Sequence, residues 1–241
     1  MSEETTITVT VIDTETTGLD PAVDRVVQIA AVELRRFGKG NFAIGVPALS
    51  LVNPGIPIPP QASGVHHIVD EDVSDAPSLV EAVALSVPLN PNPIAAHNAR
   101  FDRQFLPMLR DRPWIDTYRC AMHLYPDAPD YKVGTLFYYL GCGRLLSRSP
   151  HSAPFDARLA ANILARMLDE APLEELIRLS TKAVKLRTIL FGKHANEKWA
   201  DVPSSYLKWI LEKSAKGDEF EPDVVFTAKK LLQEREERLP L

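Results

Sequence analysis

The chain has 241 residues, of which 45% are hydrophobic and 24% are charged, and its formal net charge at pH 7 is -5. These proportions are typical of a soluble globular protein, and no run of 18 or more apolar residues is present to cross a bilayer. The negative charge argues against nucleic-acid binding by a positive field spread over the whole molecule, but it leaves a local basic groove open.

The first predicted element is a strand that ends in two carboxylates. The β-branched apolar run 9–12 leads directly into Asp13 and Glu15. Side chains alternate between the two faces of a strand, so both acids project to the same side and Thr14 points away. Two acids on one face repel unless a cation lies between them, and Mg²⁺ and Mn²⁺ prefer oxygen ligands. The pair is therefore a candidate metal site, which a solvated strand end would also explain.

The next stretches predict an antiparallel meander followed by a rigid loop. Two further β-rich runs occupy residues 25–34 and 48–52. Four prolines in residues 53–60 cannot continue a hydrogen-bonded ladder, so this segment is a surface loop. A short helix or turn follows over 61–68. Ser78, with Glu81 three residues later, predicts the start of a helix.

A strand followed by a helix is predicted around Asp102. Residues 93–97 form a short apolar run, and Phe101, Phe105 and Leu109 then recur at helical spacing. Asp102 lies in the first turn of this helix, close to the end of the strand. With further helices over 133–140 and 153–168, the order of elements predicts an α/β domain with a mixed sheet flanked by helices.

A fourth acid, Asp156, follows His151 by five residues in the sequence His-Ser-Ala-Pro-Phe-Asp. Pro154 is tolerated in the first turn of a helix, so Asp156 is on the helix and His151 is in the loop that enters it. The two side chains then face one cleft, with room for a water between base and metal. The candidate catalytic residues are Asp13, Glu15, Asp102, Asp156 and His151, each at a strand end or a helix start.

Three motifs in this order resemble the histidine-type DEDD family of 3′-to-5′ exonucleases. They are Asp-Thr-Glu-Thr-Thr-Gly at 13–18, His-Asn-Ala-Arg-Phe-Asp at 97–102 and His-Ser-Ala-Pro-Phe-Asp at 151–156. The tyrosine-type branch has a tyrosine four residues before the last acid, where this chain has Ser152. The histidine branch is therefore the better match, and the resemblance extends from about residue 7 to about residue 170.

The resemblance implies a ribonuclease H-like sheet and a site for two Mg²⁺ or Mn²⁺ ions. In that interpretation Asp13, Glu15 and Asp156 bind the first ion, and Asp13 reaches the second with help from Asp102 through water. His151 is the general base, and its unperturbed pKa of about 6.5 suits that role. Two ions about 3.5–4 Å apart stabilise the attacking and leaving oxygens of an in-line phosphodiester displacement.

The same resemblance implies a set of substrate-binding residues. Thr16, Thr17 and Leu19 would line the pocket of the terminal nucleotide. Gln61 and His66 would contact the nucleotide, and His97 and Asn98 would order the second motif. Position 61 is usually Glu in the replicative proofreading subunit. A Gln there still hydrogen-bonds a ribose hydroxyl. A structural turn around residue 61 and buried hydrogen bonding by His97 and Asn98 are the alternatives.

The C-terminal part predicts a separate, small, mostly helical module. We predict the exonuclease domain over 5–170, a linker over 171–187 and the module over 188–241. The module resembles the one appended to exodeoxyribonuclease X, with a strand and turn at 191–194 and helices at 202–211 and 222–238. Its lysines and aromatic residues either hold DNA through phosphate contacts and stacking or form a helical core; they are Lys193, Lys198, Lys208, Trp199, Tyr206 and Trp209.

The cysteines and the N-terminus indicate a reducing compartment. Cys120 and Cys142 are the two cysteines of the chain and have no C-x-x-C spacing, so we interpret them as reduced thiols. Residues 1–4 lack the basic and apolar regions of a signal peptide. We therefore expect a cytoplasmic protein that does not bind membranes.

The hypothesis from sequence is a metal-dependent 3′-to-5′ exodeoxyribonuclease that releases nucleotides from DNA 3′ ends in repair. Its partner is nucleic acid, with single-stranded and double-stranded ends both open and protein partners unknown. Two alternatives remain. One is an RNA exonuclease of the oligoribonuclease or ribonuclease T type. The other is a catalytically silent nucleic-acid-binding protein of the same fold, against which the four acids and His151 argue.

Overall fold

A computed structural model describes residues 6–90, 92–144 and 152–238. The chain divides into two compact units, unit 1 up to Ser180 and unit 2 from Thr181. The strands are β1 (Ile7–Thr16), β2 (Val26–Gly38), β3 (Asn41–Ile44), β4 (Ala48–Leu51), β5 (Ile94–Ala96) and β6 (Trp114–Asp116). The helices are α1 (Pro60–His66), α2 (Asp70–Val73), α3 (Leu79–Ser86), α4 (Ala99–Phe105), α5 (Thr117–Leu124), α6 (Val133–Tyr139), α7 (Ala153–Glu170), α8 (Leu173–Leu179), α9 (Ser204–Ala215) and α10 (Pro222–Glu237).

The sheet of unit 1 is mixed, in the order β3-β2-β1-β5-β6, with β4 also paired to β2. β1 and β2 are antiparallel, whereas β5 is parallel to both β1 and β6. β3 pairs antiparallel with the second half of β2 and β4 with residues 28–31, so the long β2 carries both on one edge. The predicted mixed sheet and the antiparallel pairing of the first strands are confirmed.

The two faces of the sheet pack against different helices. On one face, Val9 and Val11 of β1 belong to a buried cluster with Ala157, Ala161 and other residues of α7. On the other face, Ile12 packs in a cluster with residues of α3 and α4. Alternation along β1 thus sends odd-numbered side chains toward α7 and even-numbered ones toward α4. The small alanines of α7 allow the helix to lie close to the sheet.

Several local predictions differ from the structure. β3, β6 and α5 were not predicted; the two strands have four and three residues and so carry little periodic signal. The helix that contains Phe101 ends at Phe105, since Pro107 starts a 3₁₀ turn over Pro107–Leu109. The strand predicted at 191–194 is wrong. Gly192 has a positive φ and opens a 3₁₀ turn that the hydrogen bond from Ala195 N to Gly192 O closes.

The segment predicted as a linker, 171–187, is divided between the two units. Its first part contains α8, whose Leu176 and Leu179 lie in the main core of unit 1. At the end of α8, Ser180 Oγ accepts a hydrogen bond from Asp116 N at 2.8 Å and donates one to Leu176 O at 2.7 Å. These bonds tie α8 to the edge strand β6.

Unit 2 is built on the pair α9 and α10, with Trp199 at 1% exposure among its largest buried side chains. α10 also holds the segment that precedes α9. Thr227 Oγ1 accepts from Leu186 N at 2.9 Å, and Asp223 Oδ1 accepts from Val184 N at the same distance. In the described ranges, none of the helices combines the length and apolar character needed to span a membrane.

Candidate active site

Three predicted metal ligands lie together at the end of β1. Asp13 and Glu15 project from the face of β1 that α7 covers, and Asp156 lies in the first turn of α7. Each of the three contributes a carboxylate oxygen, and these oxygens all lie within 4.8 Å of one another. The first turn of α7 is held against the sheet by a buried hydrogen bond of 3.0 Å from Ala153 N to Gln28 Oε1 of β2. The sheet therefore fixes where Asp156 meets the other two acids.

Asp102 lies on the opposite face of β1. It is 3% exposed, and its Oδ1 accepts a hydrogen bond of 2.8 Å from Thr14 Oγ1. Thr14 points away from Asp13 and Glu15, as alternation predicts, and that direction brings it to Asp102. The structure thus places Asp102 outside the group of three carboxylates, yet near enough for its charge to act on Asp13 and Glu15.

The acids perturb one another's proton affinity. Burial raises the pKa of Glu15 to about 7, and the charges of Asp156 and Asp102 add to the rise. The pKa of Asp13 is raised well above its usual value by burial and by the charges of Asp102, Asp156 and Glu15. Burial also raises the pKa of Asp102, which the hydrogen bond from Thr14 opposes. Like charges crowded in a low-dielectric region favour the protonated form.

The donor set of this cluster fits a hard divalent cation. Three carboxylates provide oxygen ligands of the kind that Mg²⁺ and Mn²⁺ prefer. A bound cation offsets the repulsion that adds to the rise of the pKa values, because its positive charge attracts each carboxylate. The residues present are therefore chemically suited to hold a metal.

His97 and Asn98 build the turn that precedes Asp102. His97 Nδ1 lies 2.9 Å from Thr117 Oγ1, and its Nε2 lies 2.8 Å from Tyr131 O. Burial lowers the pKa of His97 to about 4, so the neutral ring donates from Nε2 to the carbonyl and accepts at Nδ1. Both ring nitrogens are occupied by protein atoms.

Asn98 adopts a left-handed backbone, with φ of 72°, at the entry to α4. Its N–H donates to Asp116 Oδ1 at 3.2 Å, and Arg119 N donates to the same oxygen at 3.1 Å. One buried carboxylate thus caps α5 and fixes the turn before α4. Asp116 was not predicted as a site residue, because its local signal is only its place at the start of a helix.

A cavity of about 300 Å³ lies beside the acids. Five predicted substrate-binding residues line it, namely Thr16, Thr17, Leu19, Gln61 and His66. Phe101 and Val65 also line it and were not predicted, although Phe101 was placed on an apolar helix face. Leu19 is 80% exposed, so its side chain is free to contact a ligand. The loop 17–19 and helix α1 together form the walls.

His66 lines this cavity with a buried, neutral ring. Its side chain is buried, and Ile68 N donates to its Nδ1 at 3.1 Å, so Nε2 carries the proton. Nε2 is buried and has no hydrogen-bond partner among the described residues. Burial lowers the pKa of His66, and the nearby main chain of Thr16 opposes this only in part. A neutral histidine therefore forms part of the wall of the cavity, and its Nε2 lies below the accessible surface.

Asp24 fixes the loop that carries Thr17 and Leu19. Thr17 Oγ1 donates to Asp24 Oδ1 at 3.1 Å, and Asp20 N donates to Asp24 Oδ2 at 2.9 Å. The Asp24 carboxyl lies so close to Gly18 that a methyl group there would collide with it. The motif thus requires glycine at this position because of a close approach.

The predicted general base, His151, lies outside the described residues. Its role and the roles assigned to the other site residues remain predictions. What the structure provides is their placement: three acids together, Asp102 behind them, and five of the seven predicted substrate residues around one cavity.

Comparison with known proteins gives consistent results. A family model described as "Exonuclease" (RNase_T) matches residues 10–164. Exodeoxyribonuclease 10 of Escherichia coli K12 is 28% identical over 232 residues, which cover 92% of this chain and 98% of that protein. The DNA polymerase III subunit epsilon of Treponema pallidum is 31% identical over 171 residues, covering 66% of this chain and 75% of that protein.

Among solved structures, the chain resembles exonuclease X in complex with a 5′-overhanging DNA duplex. The TM-score is 0.62 and the identity is 28%, with 71% of this chain and 99% of that chain covered.

Proposed function

Because the chain belongs to the exonuclease family whose model matches residues 10–164, we propose that it is a metal-dependent 3′-to-5′ exodeoxyribonuclease acting on DNA 3′ ends. The predicted family, its ribonuclease H-like fold and its status as an exonuclease enzyme are confirmed. The observation that carries the proposal is the group of Asp13, Glu15 and Asp156, whose carboxylate oxygens lie within 4.8 Å of one another.

In this proposal the acids hold the metal and orient the scissile phosphate. Asp13, Glu15 and Asp156 would hold one divalent ion, Mg²⁺ or Mn²⁺, and Asp102 would help with a second through water. Bound ions of this kind supply a nucleophile at neutral pH and offset the charge on the attacking and leaving oxygens of an in-line displacement. The raised pKa values of Asp13 and Glu15 support the proposal, since they indicate a need for positive charge.

His151 would take the proton of the attacking water. This role rests on the resemblance of the third motif, and His151 precedes Asp156 by five residues at the entry to α7. A histidine titrates close to neutral pH, so it is able to accept a proton under working conditions. The hydrolysis then releases a nucleotide from the 3′ end.

The cavity next to the acids would hold the terminal nucleotide. Leu19 and Phe101 would provide apolar contacts for a base. Gln61 also lines the cavity and would hydrogen-bond a sugar hydroxyl.

DNA as the substrate is supported by the relatives. One relative is named an exodeoxyribonuclease, and the similar structure of exonuclease X was determined with a DNA duplex. Transfer of that substrate to this chain, the choice between single-stranded and double-stranded ends, a role in repair and a cytoplasmic location are parts of the proposal.

The decisive experiment is digestion of end-labelled DNA and RNA, single-stranded and double-stranded, with Mg²⁺ or with EDTA. We expect stepwise loss of 3′ nucleotides from DNA with Mg²⁺ and none with EDTA. Asp13→Asn should abolish the products, whereas Asp75→Asn, an exposed acid away from the cluster, should leave them unchanged. Faster digestion of RNA than of DNA would favour the ribonuclease alternative, and no digestion of either would favour a silent binding protein.

A further inference from the structure

We propose that unit 2 carries a binding site for single-stranded nucleic acid, in which Trp209 stacks on a base and Lys193 contacts a backbone phosphate. The site lies within unit 2 and involves none of the acids described above. Aromatic geometry, exposure and charge support this site, which does not depend on whether unit 1 is catalytic.

The aromatic residues of unit 2 form a continuous series that ends at the surface. Tyr206 and Trp209 are stacked, with ring centroids 5.0 Å apart and planes inclined by 20°. His194 contacts the edge of Tyr206 at 4.6 Å, and Phe220 contacts Trp209 at 6.2 Å. Trp209 is thus supported from below by Tyr206 and from the side by Phe220. Its ring is held in a fixed orientation before any ligand arrives.

Exposure separates Trp209 from the buried aromatic residues of unit 2. Trp199 is 1% exposed and Tyr206 is 8% exposed, so both belong to the core. Trp209 is 41% exposed although it is one of the largest apolar side chains. A supported, half-exposed indole ring is what base stacking requires, because the covered face fixes the ring and the open part accepts a base.

Lys193 places a positive charge next to this ring stack. Its Nζ lies 5.3 Å from the centroid of the Tyr206 ring. The neighbouring Gly192 has φ of 64° and packs so closely on the Tyr206 hydroxyl that a methyl group would collide with it. The backbone at Gly192 is therefore packed against Tyr206, and the following lysine lies close to the aromatic series.

The charge distribution identifies a polyanion as the occupant. Unit 2 contains twelve Lys and Arg against ten Asp and Glu, whereas unit 1 contains fifteen against twenty-two. Residues 181–216 carry eight basic and three acidic side chains, and two of these lysines, Lys185 and Lys213, pair with acids outside that range, Glu234 and Asp218. One of the acids within the range, Glu197, is bonded to His194 at 3.0 Å. Basic residues around an exposed aromatic ring fit the phosphates and bases of a single strand.

The test measures binding by the full-length chain in EDTA, so that no hydrolysis occurs. The probes are 12-nucleotide oligo(dT), oligo(rU) and an abasic DNA strand of the same length. Trp114 and Trp199 are buried, so Trp209 is the tryptophan open to a stacking base. We expect oligo(dT) or oligo(rU) to quench the tryptophan fluorescence, and the abasic strand to bind weakly without quenching.

Two variants assign the effect to the proposed residues. Trp209→Ala should weaken oligonucleotide binding roughly 5- to 100-fold, the usual range for loss of one stacked base. Lys193→Gln should lower the slope of log affinity against log salt by about 0.7, one phosphate contact of a single strand. Lys229→Gln, which removes an exposed lysine of α10, is the matched control and should leave the slope unchanged.

The proposal is overturned if no oligonucleotide quenches the fluorescence, or if Trp209→Ala and Lys193→Gln both bind as the parent does. Either result would point to a protein partner for this surface instead. If Trp209→Ala does not fold, Trp209→Phe keeps a ring in the stack and removes the fluorophore, so loss of the quench with retained binding still supports the site. A protein without exonuclease activity that retains this binding would refute only the proposed function.

Discussion

The acid cluster of unit 1 and the aromatic series of unit 2 relate stability to function in opposite ways. Asp13, Glu15 and Asp156 repel one another, so the residues proposed for function destabilise the metal-free fold. Tyr206 lies in the core and Trp209 stacks on it, so the same contacts support the fold and the proposed binding surface. A substitution should therefore separate function from stability in unit 1 and lower both together in unit 2.

The largest expected effect comes from Asp13→Asn. We expect the rate on a 3′-labelled DNA strand to fall at least 10³-fold, because losing a metal ligand removes several kcal/mol of charge stabilisation. In EDTA at pH 8 the melting temperature should not fall, since the substitution relieves repulsion with Glu15 and Asp156. Calorimetry checks the second result, with Asp75→Asn as control. A melting temperature clearly below that of the parent would contradict the comparison for unit 1.

His151→Ala sharpens the comparison within unit 1 by separating proton transfer from metal binding. We expect kcat to fall about 10²- to 10⁴-fold, the usual contribution of a general base, with little change in Mn²⁺ affinity. Isothermal titration of Mn²⁺ and single-turnover rates measure the two quantities. If Mn²⁺ affinity falls as far as it does in Asp156→Ala, His151 is a ligand and the assignment as base is wrong.

Gly192→Ala tests the claim that packing and stability coincide in unit 2. The alanine would have to adopt a left-handed backbone conformation, and its methyl group would collide with Tyr206. Together these two effects should lower the free energy of unfolding by about 2–4 kcal/mol. Gly217→Ala is the matched control, because Gly217 has φ of 97° and open space around it, so it pays only the backbone cost of about 1 kcal/mol. Chemical denaturation of the two variants measures the difference. Equal losses would show that Tyr206 yields freely and does not hold the aromatic series in place.

The smallest expected effect is a pH dependence of the metal-free stability. The pKa of Glu15 rises from 4.5 to about 7 on folding, so folding is favoured while Glu15 is protonated. This contribution is fully present below pH 4.5 and is lost as the pH rises through about 7, with an amplitude on the order of 1–3 kcal/mol after allowance for partial exposure. Denaturation in EDTA at several pH values measures it, and Glu15→Gln should flatten the curve. If the parent and Glu15→Gln gave the same pH profile, ionisation of Glu15 would not affect the free energy of unfolding.

Local patterns predicted those parts of the site whose geometry depends on residues close together in the sequence. The alternation of a strand placed Asp13 and Glu15 on one face, and Pro154 placed Asp156 in the first turn of a helix. The strands β1 and β2 and the helix α7 were found for the same reason, because each is long enough to show its period.

Contacts between distant residues were not predictable in the same way. The hydrogen bond from Thr14 to Asp102 joins positions 88 residues apart in the sequence. The two residues meet because α4 packs on the face of the sheet toward which Thr14 points. Phe101 has the pattern of a core residue, yet it lies near the start of α4 and lines the cavity. The boundary between the two units near Ser180 was also not predicted. Ser180 is hydrogen-bonded to the distant Asp116, and no local signal in α8 indicates that contact.

The short strands at both edges of the sheet have a consequence for behaviour at high concentration. β3 and β4 have four residues each and share one edge of β2, whereas β6, on the other edge, has three. At that second edge, Asp116 N already donates to Ser180 of α8. Neither edge offers a long, straight row of open main-chain donors and acceptors on which a second molecule could add its own strand. The sheet of unit 1 should therefore resist edge-to-edge polymerisation, and its purified solutions should tolerate concentration without forming fibrils.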